Sequence, residues 1–404
     1  MTTTEPVGYN PLAPGYVDDP YAQFAALRAH DPVHRTALGS WMLFAYHDVF
    51  ALLRDARLSV DDRNAFPTRP DRFEALTGRP RRAVRSMLFL DPPDHDRLRK
   101  LVSRAFTPRA VEAYRPRARV LVAAALDEMA AAGRTELITD LAFPLPFQVI
   151  SELLGMPEED VATVRDWSHA MVKTLDPINS DEELVAAADA AERMRAHLVE
   201  VIEWKRSHPA DDMLTALIAA EEDGDRLSTD ELVTQVTLLF VAGHETTVNL
   251  IGNGLRALLT HRDQLELLAG RPDLVANAVE ELLRFDPPVQ ISGRIATVEL
   301  DLGGHRIPAG AFVAAVLASA NRDPAMWGPT ADRLDITRES AGRHLSFGGG
   351  VHHCLGASLA RLEAQEAIGG FVARFPAAEL EPGPTRWNGR INLRGVESLP
   401  IRLG

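Results

Sequence analysis

The most chemically distinctive residue of this sequence is its only cysteine, Cys354. It lies in the glycine-rich segment 344–356, which reads His-Leu-Ser-Phe-Gly-Gly-Gly-Val-His-His-Cys-Leu-Gly, and an amphipathic helix is predicted over 357–371. The partial positive charge at a helix N-terminus is expected to lower the pKa of the thiol and to favour the thiolate. A thiolate is the form of cysteine that binds a soft metal ion.

Other interpretations of this segment stay open at the level of the residues. A lone cysteine can be a small buried apolar residue, or a nucleophile paired with a histidine. A phosphate loop is disfavoured because neither G-x-G-x-x-G nor G-x-x-x-x-G-K-[ST] is present. Zinc binding by the consecutive His352, His353 and Cys354 is also disfavoured, since adjacent residues rarely converge on one ion.

A second set of polar residues interrupts a long apolar helix. Residues 228–231, Ser-Thr-Asp-Glu, have capping-box spacing and predict the start of a helix of about 32 residues, or ~48 Å. Its middle, residues 242–247, reads Ala-Gly-His-Glu-Thr-Thr. Small Ala242 and Gly243 leave room for a bulky group, and the Thr246 hydroxyl can bond the carbonyl one turn earlier. These consecutive polar residues indicate a functional interruption rather than a solvent-facing side.

An acid and a base one helical turn apart form the third candidate. Glu281 and Arg284 lie in a helix that is predicted to begin near Pro272 and to end before Pro287. Taken alone the pair is weak evidence, because exposed pairs of this kind are common and contribute only ~0.3–0.5 kcal/mol.

The elements that must position these residues are mostly helices. Apolar residues recur at helical spacing in 120–132 and 184–204, whereas the best strand signal covers 296–302 and 305–307, joined by a Gly-Gly turn. Repeated βαβ units are not found, which argues against a doubly wound nucleotide-binding fold. The predicted fold class is mainly α with small β-sheets (α+β).

Composition and charge exclude several classes of function. The 404 residues include 43 Lys+Arg and 57 Asp+Glu, a formal net charge of −14, which argues against general nucleic-acid or anionic-membrane binding. One cysteine rules out an internal disulfide and a cysteine-cluster metal site. Neither a signal peptide nor a run of ~18 apolar residues is found, so we expect a soluble cytoplasmic protein. Segment 79–119 nevertheless holds 12 Lys/Arg against four Asp/Glu, either a solvated surface or a cationic wall for an anionic group.

Taken together, these segments resemble the cytochrome P450 family, in particular its soluble bacterial class. Residues 347–356 match the F-x-x-G-x-x-x-C-x-G haem-binding loop, 281–284 the E-x-x-R pair, and 242–246 the oxygen-binding helix motif. The resemblance implies one P450 domain over 1–404, with 1–17 an irregular N-terminal segment. It also implies a triangular helical prism, with haem between the long central helix and the helix that follows the cysteine.

The resemblance also implies a role for each matched residue. Cys354 would be the axial thiolate ligand of the iron of haem b, and Glu245 and Thr246 would be the catalytic residues that deliver protons to dioxygen. Glu281 and Arg284 would form a buried structural network behind the cysteine loop. The other cofactor-binding candidates are Phe347 and Gly348 beside the cysteine, Ala242 and Gly243 on the long helix, and His95, Arg99, Arg294 and His352 for the two haem propionates.

The implied activity is hydroxylation or epoxidation of a hydrophobic small molecule, such as a secondary metabolite, a steroid or a xenobiotic, by a monomeric enzyme. Electrons would come from a ferredoxin and its reductase, so NAD(P)H would act only indirectly; Arg97, Arg104 and Arg361 are candidate docking cations. A haem carrier or gas sensor without turnover, and a cysteine hydrolase, are the alternatives. The candidate substrate-pocket residues are mostly apolar: Met87, Leu88, Phe89, Met171, Leu238, Val241, Gln290, Ile291 and Ile391.

Overall fold

The computed structural model describes residues 8–66, 72–79, 85–222 and 224–404. Part of the predicted N-terminal segment, and residues 80–84 of the basic stretch, lie outside the described residues. The described part is mainly helical with small sheets, as predicted. The helices are α1 (Tyr21–His30), α2 (Tyr46–Leu52), α3 (Arg72–Thr77), α4 (Asp94–Ala105), α5 (Pro108–Ala113), α6 (Arg115–Ala132), α7 (Pro144–Leu154), α8 (Val161–Val172), α9 (Asp181–Ser207), α10 (Met213–Ala219), α11 (Thr229–Thr260), α12 (Arg262–Gly270), α13 (Val275–Phe285), α14 (Leu317–Ala320), α15 (Pro324–Trp327) and α16 (Ala357–Arg374).

The strands are short and form several separate sheets. They are β1 (Val33–Arg35), β2 (Trp41–Leu43), β3 (Leu58–Ser59), β4 (Arg134–Glu136), β5 (Glu221–Glu222), β6 (Asp225–Arg226), β7 (Ile291–Ala296), β8 (Leu300–Leu302), β9 (His305–Ile307), β10 (Phe312–Val316), β11 (Glu379–Leu380), β12 (Arg386–Trp387), β13 (Val396–Ser398) and β14 (Pro400–Arg402).

The long central helix α11 begins where the sequence predicts. The Ser228 hydroxyl accepts the Glu231 N–H at 3.2 Å, and the Glu231 carboxylate accepts the Ser228 N–H at 2.8 Å, so two otherwise unpaired donors are satisfied. Most of α11 is buried, and it packs against α7, α8, α9, α13 and α16. It therefore passes through the main apolar core and presents its middle to several helices at once.

The largest sheet has the strand order β1-β2-β10-β7-β3. β10 runs parallel to β2 and antiparallel to β7, and Val313 lies opposite Arg294 in that register. The strand predicted over 296–302 is divided in the structure, since β7 ends at Ala296 and β8 begins only at Leu300. The predicted hairpin with its Gly-Gly turn is confirmed, because β8 pairs with β9. Its Gly303 and Gly304 have φ of 58° and 79°, as a tight hairpin turn requires.

The helix that carries Glu281 and Arg284 and the helix that follows Cys354 also form where the sequence predicts them. α13 starts after a 3₁₀ turn over Pro272–Leu274, and α16 extends past the predicted end to Arg374. Residues 8–17 contain turns without a helix or strand. Of the helices in the described ranges, none has both the length and the apolar character needed to cross a membrane.

Candidate active site

The loop that carries Cys354 is folded tightly against the chain that follows α2. Gly348 and Gly350 have φ of 70° and 66°, a region that glycine adopts without steric cost. A Cβ atom on Gly350 would lie only 2.4 Å from the Leu53 carbonyl oxygen, so glycine is required there. The Cys354 N–H donates to the Phe347 carbonyl at 2.9 Å and closes the loop just before α16.

The Cys354 side chain is exposed, although many protein atoms lie around it. Burial raises the pKa of the thiol, and the Gly356 N–H, Arg99 and Arg361 lower it only in part. The expectation that the adjacent helix N-terminus lowers this pKa overall is therefore wrong, because desolvation is the larger influence. A metal ion bound directly to the sulfur would reverse the balance, since coordination deprotonates a thiol.

The Glu281–Arg284 pair on α13 is fully buried, with 0% of either side chain exposed. Arg284 donates through Nε and Nη2 to the two carboxylate oxygens of Glu281 at 2.7 and 2.8 Å. Its remaining N–H groups bond the carbonyls of Asn321, Ala331 and Arg333 at 2.7–2.8 Å. All five donors of the guanidinium are thereby used, which is what a buried arginine requires.

Asn321 connects this pair to the cysteine loop. Its side-chain oxygen accepts the Leu345 N–H at 2.8 Å, and its Nδ2 donates to the Ser346 hydroxyl at 2.8 Å. Ser346 in turn donates to the Leu283 carbonyl of α13 at 2.7 Å. The segment that leads to Cys354 is thus bonded to α13 through buried polar groups. Sequence reasoning missed Asn321 and Ser346, since no local pattern marks them.

The four side chains predicted to bind the haem propionates include a close pair. The imidazole centroids of His95 and His352 are 4.3 Å apart. Burial, and then repulsion from His95, Arg294 and Arg99, lowers the pKa of His352 to about 4. Burial also lowers the pKa of Arg294 to about 10. The structure therefore brings together all four predicted residues.

The two arginines of this cluster donate hydrogen bonds to neutral acceptors, while Asp91 acts on Arg294 through its charge alone. Arg294 donates to the Ser292 hydroxyl at 2.9 Å and to the Gly293 carbonyl at 2.7 Å. Arg99 donates to the His353 carbonyl at 2.7 Å, and burial lowers its pKa. Two guanidinium groups are thus partly desolvated next to neutral acceptors, an arrangement that an anionic group would stabilise.

His95 adds an unpaired buried atom to the cluster. Its Nδ1 lies 2.9 Å from the Asp96 carboxylate, whereas its Nε2 is buried and has no hydrogen-bond partner among the described residues. A buried polar atom of this kind normally has a partner. Because Nδ1 is bonded to a carboxylate, Nε2 becomes a donor when the ring is doubly protonated, and it would then join the two guanidinium groups as a donor to an oxyanion.

In the middle of α11 two hydroxyl groups bond carbonyls one turn earlier, as predicted for Thr246, and the helix stays continuous. Thr246 donates to the Ala242 carbonyl at 2.8 Å, and Thr247 donates to the Gly243 carbonyl at 3.0 Å. No atom of the described residues comes within 4 Å of a Cβ built on Gly243. This side of the helix can therefore accept a bulky group against its backbone.

Glu245 has a partner that sequence reasoning missed. His169 of α8 places its Nδ1 3.5 Å from Glu245 Oε2. Burial works to raise the pKa of Glu245, but His169, His244 and Arg390 together hold it below its usual value. Burial lowers the pKa of His244 to about 4 and keeps it neutral at pH 7, so the ion-pair partner of Glu245 is His169. Only the packing of α8 on α11 reveals this pair.

Glu363 of α16 is a second carboxyl group that sequence reasoning missed. It is 1% exposed, and burial raises its pKa well above the usual value, although a bond with Thr247 opposes the rise. The Thr247 hydroxyl already donates its only proton to Gly243. A protonated Glu363 can therefore act as the donor to the Thr247 oxygen.

The candidate pocket residues do not form one group. Met171 and Val241 pack with Val289 and Leu393 in one apolar cluster, whereas Met87 and Leu238 belong to the main core and Ile291 packs with a third cluster. Leu88 is 38% exposed and Phe89 is half-buried. Gln290 and Ile391 are buried, and Gln290 Oε1 has no partner among the described residues.

The candidate docking cations are partly neutralised within the chain. Arg97 pairs with Asp225 at 3.1 Å and with Glu231. Arg361 pairs with Glu280 at 2.6 Å, and Arg104 is exposed. Arg97 and Arg361 therefore take part in the chain's own ion pairs.

Comparisons with known proteins agree with this geometry. The chain has the fold of the Bacillus subtilis 168 bacillaene polyketide synthase cytochrome P450 PksS, with a TM-score of 0.88 and 37% identity over 98% of this chain and 100% of that one. It is 44% identical to the cytochrome P450 monooxygenase PikC of Streptomyces venezuelae over 97% of this chain and 92% of that protein. It is 42% identical to the vitamin D(3) 25-hydroxylase of Pseudonocardia autotrophica over 100% and 98% of the two chains.

The family profile described as Cytochrome P450 matches residues 39–269 and 272–387. With these relatives at 37–44% identity, the fold class is that of the haem-dependent, dioxygen-using P450 oxidoreductases. The chain belongs to the cytochrome P450 family. Its relatives are monooxygenases and hydroxylases, which favours neither a haem carrier without turnover nor a cysteine hydrolase.

Replacing Glu281 with Gln tests the buried pair. The amide keeps the shape but leaves the Arg284 charge buried without its carboxylate, and we expect a loss of ~3–5 kcal/mol in the free energy of unfolding. Denaturant unfolding of the purified protein measures it. Asp273→Asn, in the exposed Arg271–Asp273 pair, is the matched control and should change stability little. Equal effects of the two variants would show that the buried pair has no special role.

Replacing His169 with Ala tests the counter-charge of Glu245. Desolvation then dominates, so the pKa of Glu245 should rise above the usual carboxyl value. In the native chain the lowered pKa makes ionised Glu245 stabilising at neutral pH, and this contribution is lost as the pH falls through the folded pKa. Infrared titration of the carboxyl band, assigned with Glu245→Gln, measures the shift.

His197→Ala is the control for this titration, because His197 pairs with Asp160 at 3.3 Å elsewhere on α9 and should leave Glu245 unchanged. An unaltered Glu245 titration in His169→Ala would rule out His169 as its partner.

Proposed function

We propose that this chain is a haem-thiolate monooxygenase in which Cys354 binds the iron of haem b and the substrate is a large, mostly apolar small molecule. The observation that carries the proposal is the position of Arg99 and its cationic neighbours beside Cys354. Arg99 lies close enough to the thiol to affect its pKa and bonds the His353 carbonyl, and His352 belongs to the cationic cluster. One soft ligand and one oxyanion site are thus adjacent.

The residues fit the haem that the family uses. The exposed sulfur of Cys354 would supply an iron ligand. The guanidinium groups of Arg99 and Arg294, which donate to neutral acceptors, would supply positive charge for the two haem carboxylates. Nε2 of His95, which has no partner among the described residues, would supply a further donor once the ring is protonated, and the open side of α11 at Gly243 accommodates a flat macrocycle. When bound, haem supplies the activation of dioxygen and the transfer of one oxygen atom to the substrate.

Proton transfer is the task of α11 in this proposal. Thr246 holds its hydroxyl on the Ala242 carbonyl and can receive and donate a proton at that oxygen. Glu245 is kept ionised by its neighbours, and its contact with His169, a half-exposed side chain, joins it to solvent. Glu245 can therefore pick up protons on the water side and pass them toward Thr246.

Two observations support an apolar substrate of secondary-metabolite or steroid type. Met171 and Val241 pack with Val289 and Leu393 between α8, α11 and the loops beside them, which supplies an apolar wall without a charged clamp. The relatives include a vitamin D(3) 25-hydroxylase and a P450 of polyketide synthesis. Hydroxylation and epoxidation are both compatible with this wall.

Electrons come from a separate ferredoxin and its reductase in this proposal, so NAD(P)H acts only indirectly. Within the 404 residues there is no flavin or nicotinamide motif and no second cysteine for an iron–sulfur cluster. The candidate docking cations for such a partner are Arg97, Arg104 and Arg361, of which Arg97 and Arg361 also form ion pairs within the chain. The monomeric state and the cytoplasmic location stay predictions.

Replacing Cys354 with Ser tests the ligand. The reduced, carbon-monoxide-bound wild-type protein should show the red-shifted Soret band of a thiolate ligand, and Cys354→Ser should abolish it because a hydroxyl is a much poorer iron ligand. His353→Ala is the control: the backbone carbonyl that binds Arg99 remains, so the band should remain. A wild-type protein that binds no haem, or a variant that keeps the band, would overturn the assignment.

Replacing Thr246 with Ala tests the proton path. Dioxygen and electrons should still be consumed, but product per electron pair should fall by roughly 10²-fold, with hydrogen peroxide released instead. The measurement compares product, peroxide and NADPH use with a surrogate ferredoxin system. Thr246→Ser keeps a hydroxyl and should retain most of the coupling. Normal coupling in Thr246→Ala would remove Thr246 from the mechanism.

A further inference from the structure

Arg361 is a half-buried side chain that forms an ion pair within the protein. Its Nε and Nη2 donate to the two carboxylate oxygens of Glu280 at 2.6 and 2.9 Å. Its guanidinium carbon lies 4.5 Å from the ring centroid of Phe347, within the range of a cation–π contact. Arg361 therefore joins α13 and α16 to the cysteine loop.

Glu280 is bonded from a second side by the same loop. His344 Nε2 lies 3.2 Å from Glu280 Oε2, and His344 Nδ1 accepts the Ser346 N–H at 3.1 Å. Since Nδ1 is an acceptor, the ring proton is on Nε2 and points to Glu280. Burial opposes ionisation of Glu280, but Arg361 and His344 bring its pKa to about 2, so it carries a full negative charge at neutral pH.

This group of residues is connected to the thiol in two ways. Phe347, beneath the Arg361 guanidinium, accepts the Cys354 N–H through its carbonyl at 2.9 Å. The positive charge of Arg361 also acts on the sulfur directly. A positive and a negative charge are thus fixed next to each other, beside the residue that we assign as the iron ligand.

We propose that Arg361 and Glu280 are a charge-balanced positioning pair that holds Phe347 against the cysteine loop and sets the reduction potential of the iron bound by Cys354. The inference rests on the proposed haem ligation by Cys354. It concerns the balance of the two charges, which differs from the role of a docking cation and from that of the fully buried Glu281–Arg284 pair.

The two charges should act on the potential with opposite signs. Reduction adds an electron, so a nearby positive charge favours the reduced form and a nearby negative charge disfavours it. Loss of one unit charge should change the ratio of reduced to oxidised protein at a fixed potential by up to about tenfold, equivalent to about 59 mV for one electron.

The test is a double-mutant cycle on the purified, haem-loaded protein, with the midpoint potential measured by spectroelectrochemical titration. Arg361→Gln leaves Glu280 unbalanced and should lower the potential. Glu280→Gln leaves Arg361 unbalanced and should raise it. The double variant restores neutrality and should return close to the wild-type value. Shifts of the same sign in both single variants, or no shift in either, would overturn the proposal.

Two controls separate charge from folding and from docking. Arg361→Lys keeps the charge and should stay near the wild-type potential; a shift equal to that of Arg361→Gln would overturn the charge-balance proposal. Arg117→Gln removes a similar bidentate partner, of Glu152 at 2.7–2.8 Å between α6 and α7, and should leave the potential unchanged. Weaker ferredoxin binding in Arg361→Gln at an unchanged potential would make Arg361 a docking cation instead and would overturn the inference.

Failure of this inference is distinguishable from failure of the proposed function. A wild-type protein without the thiolate–carbon monoxide band would refute the ligand assignment itself and the inference with it. A normal band in wild type and in the four variants at Arg361 and Glu280, together with identical potentials, would refute only the charge-balanced pair. The fraction of each variant that keeps the band also reports whether Phe347 and the loop remain in place.

Discussion

The burial of one guanidinium group is the constraint on which the site depends. Arg284 can lie in the interior only because Glu281 and three backbone carbonyls take all of its N–H groups. Those carbonyls belong to chain segments far from α13 in sequence, so the charge can be satisfied only when the segments have come together. Asn321 extends the same bonds to the residues that lead into the cysteine loop. The position of Cys354 is therefore specified by a polar network rather than by apolar packing alone.

A second consequence of burial is electrostatic. Arg99 and Arg294 are partly desolvated next to neutral acceptors, and one ring nitrogen of His95 has no partner in the part of the chain that the structure describes. Such an arrangement is costly by itself and is stabilised when an anionic partner is present. The same argument applies to the thiol of Cys354, whose pKa burial raises and which metal coordination would deprotonate. In both cases a bound cofactor would offset the cost of burial, through an anionic group beside the guanidiniums and through a metal ion on the sulfur.

The long central helix α11 is anchored by a capping box at its start and has side-chain hydrogen bonds to its own backbone in its middle. Its capping box and its packing against the surrounding helices hold α11 in place. In its middle, the hydroxyl groups of Thr246 and Thr247 donate to backbone carbonyls one turn earlier. Charge control around this point comes from elsewhere in the fold: His169 of α8 faces Glu245, and Glu363 of α16 faces Thr247. Carboxyl groups therefore lie on two sides of the same turn of α11, one with a lowered pKa and one with a raised pKa.

The sequence by itself determined what depends on neighbours along the chain. The capping box at Ser228, the paired glycines of the hairpin and the motifs that carry Cys354, Glu245 and Arg284 were all predictable, because caps, turns and helical faces follow from local spacing. The tertiary structure alone decided which faces meet. It divided the strand predicted over 296–302, raised the pKa of the Cys354 thiol through burial, and paired Arg361 with Glu280. The physical reason is that burial and Coulomb interactions depend on distances in space, and helical periodicity does not state which helix lies opposite.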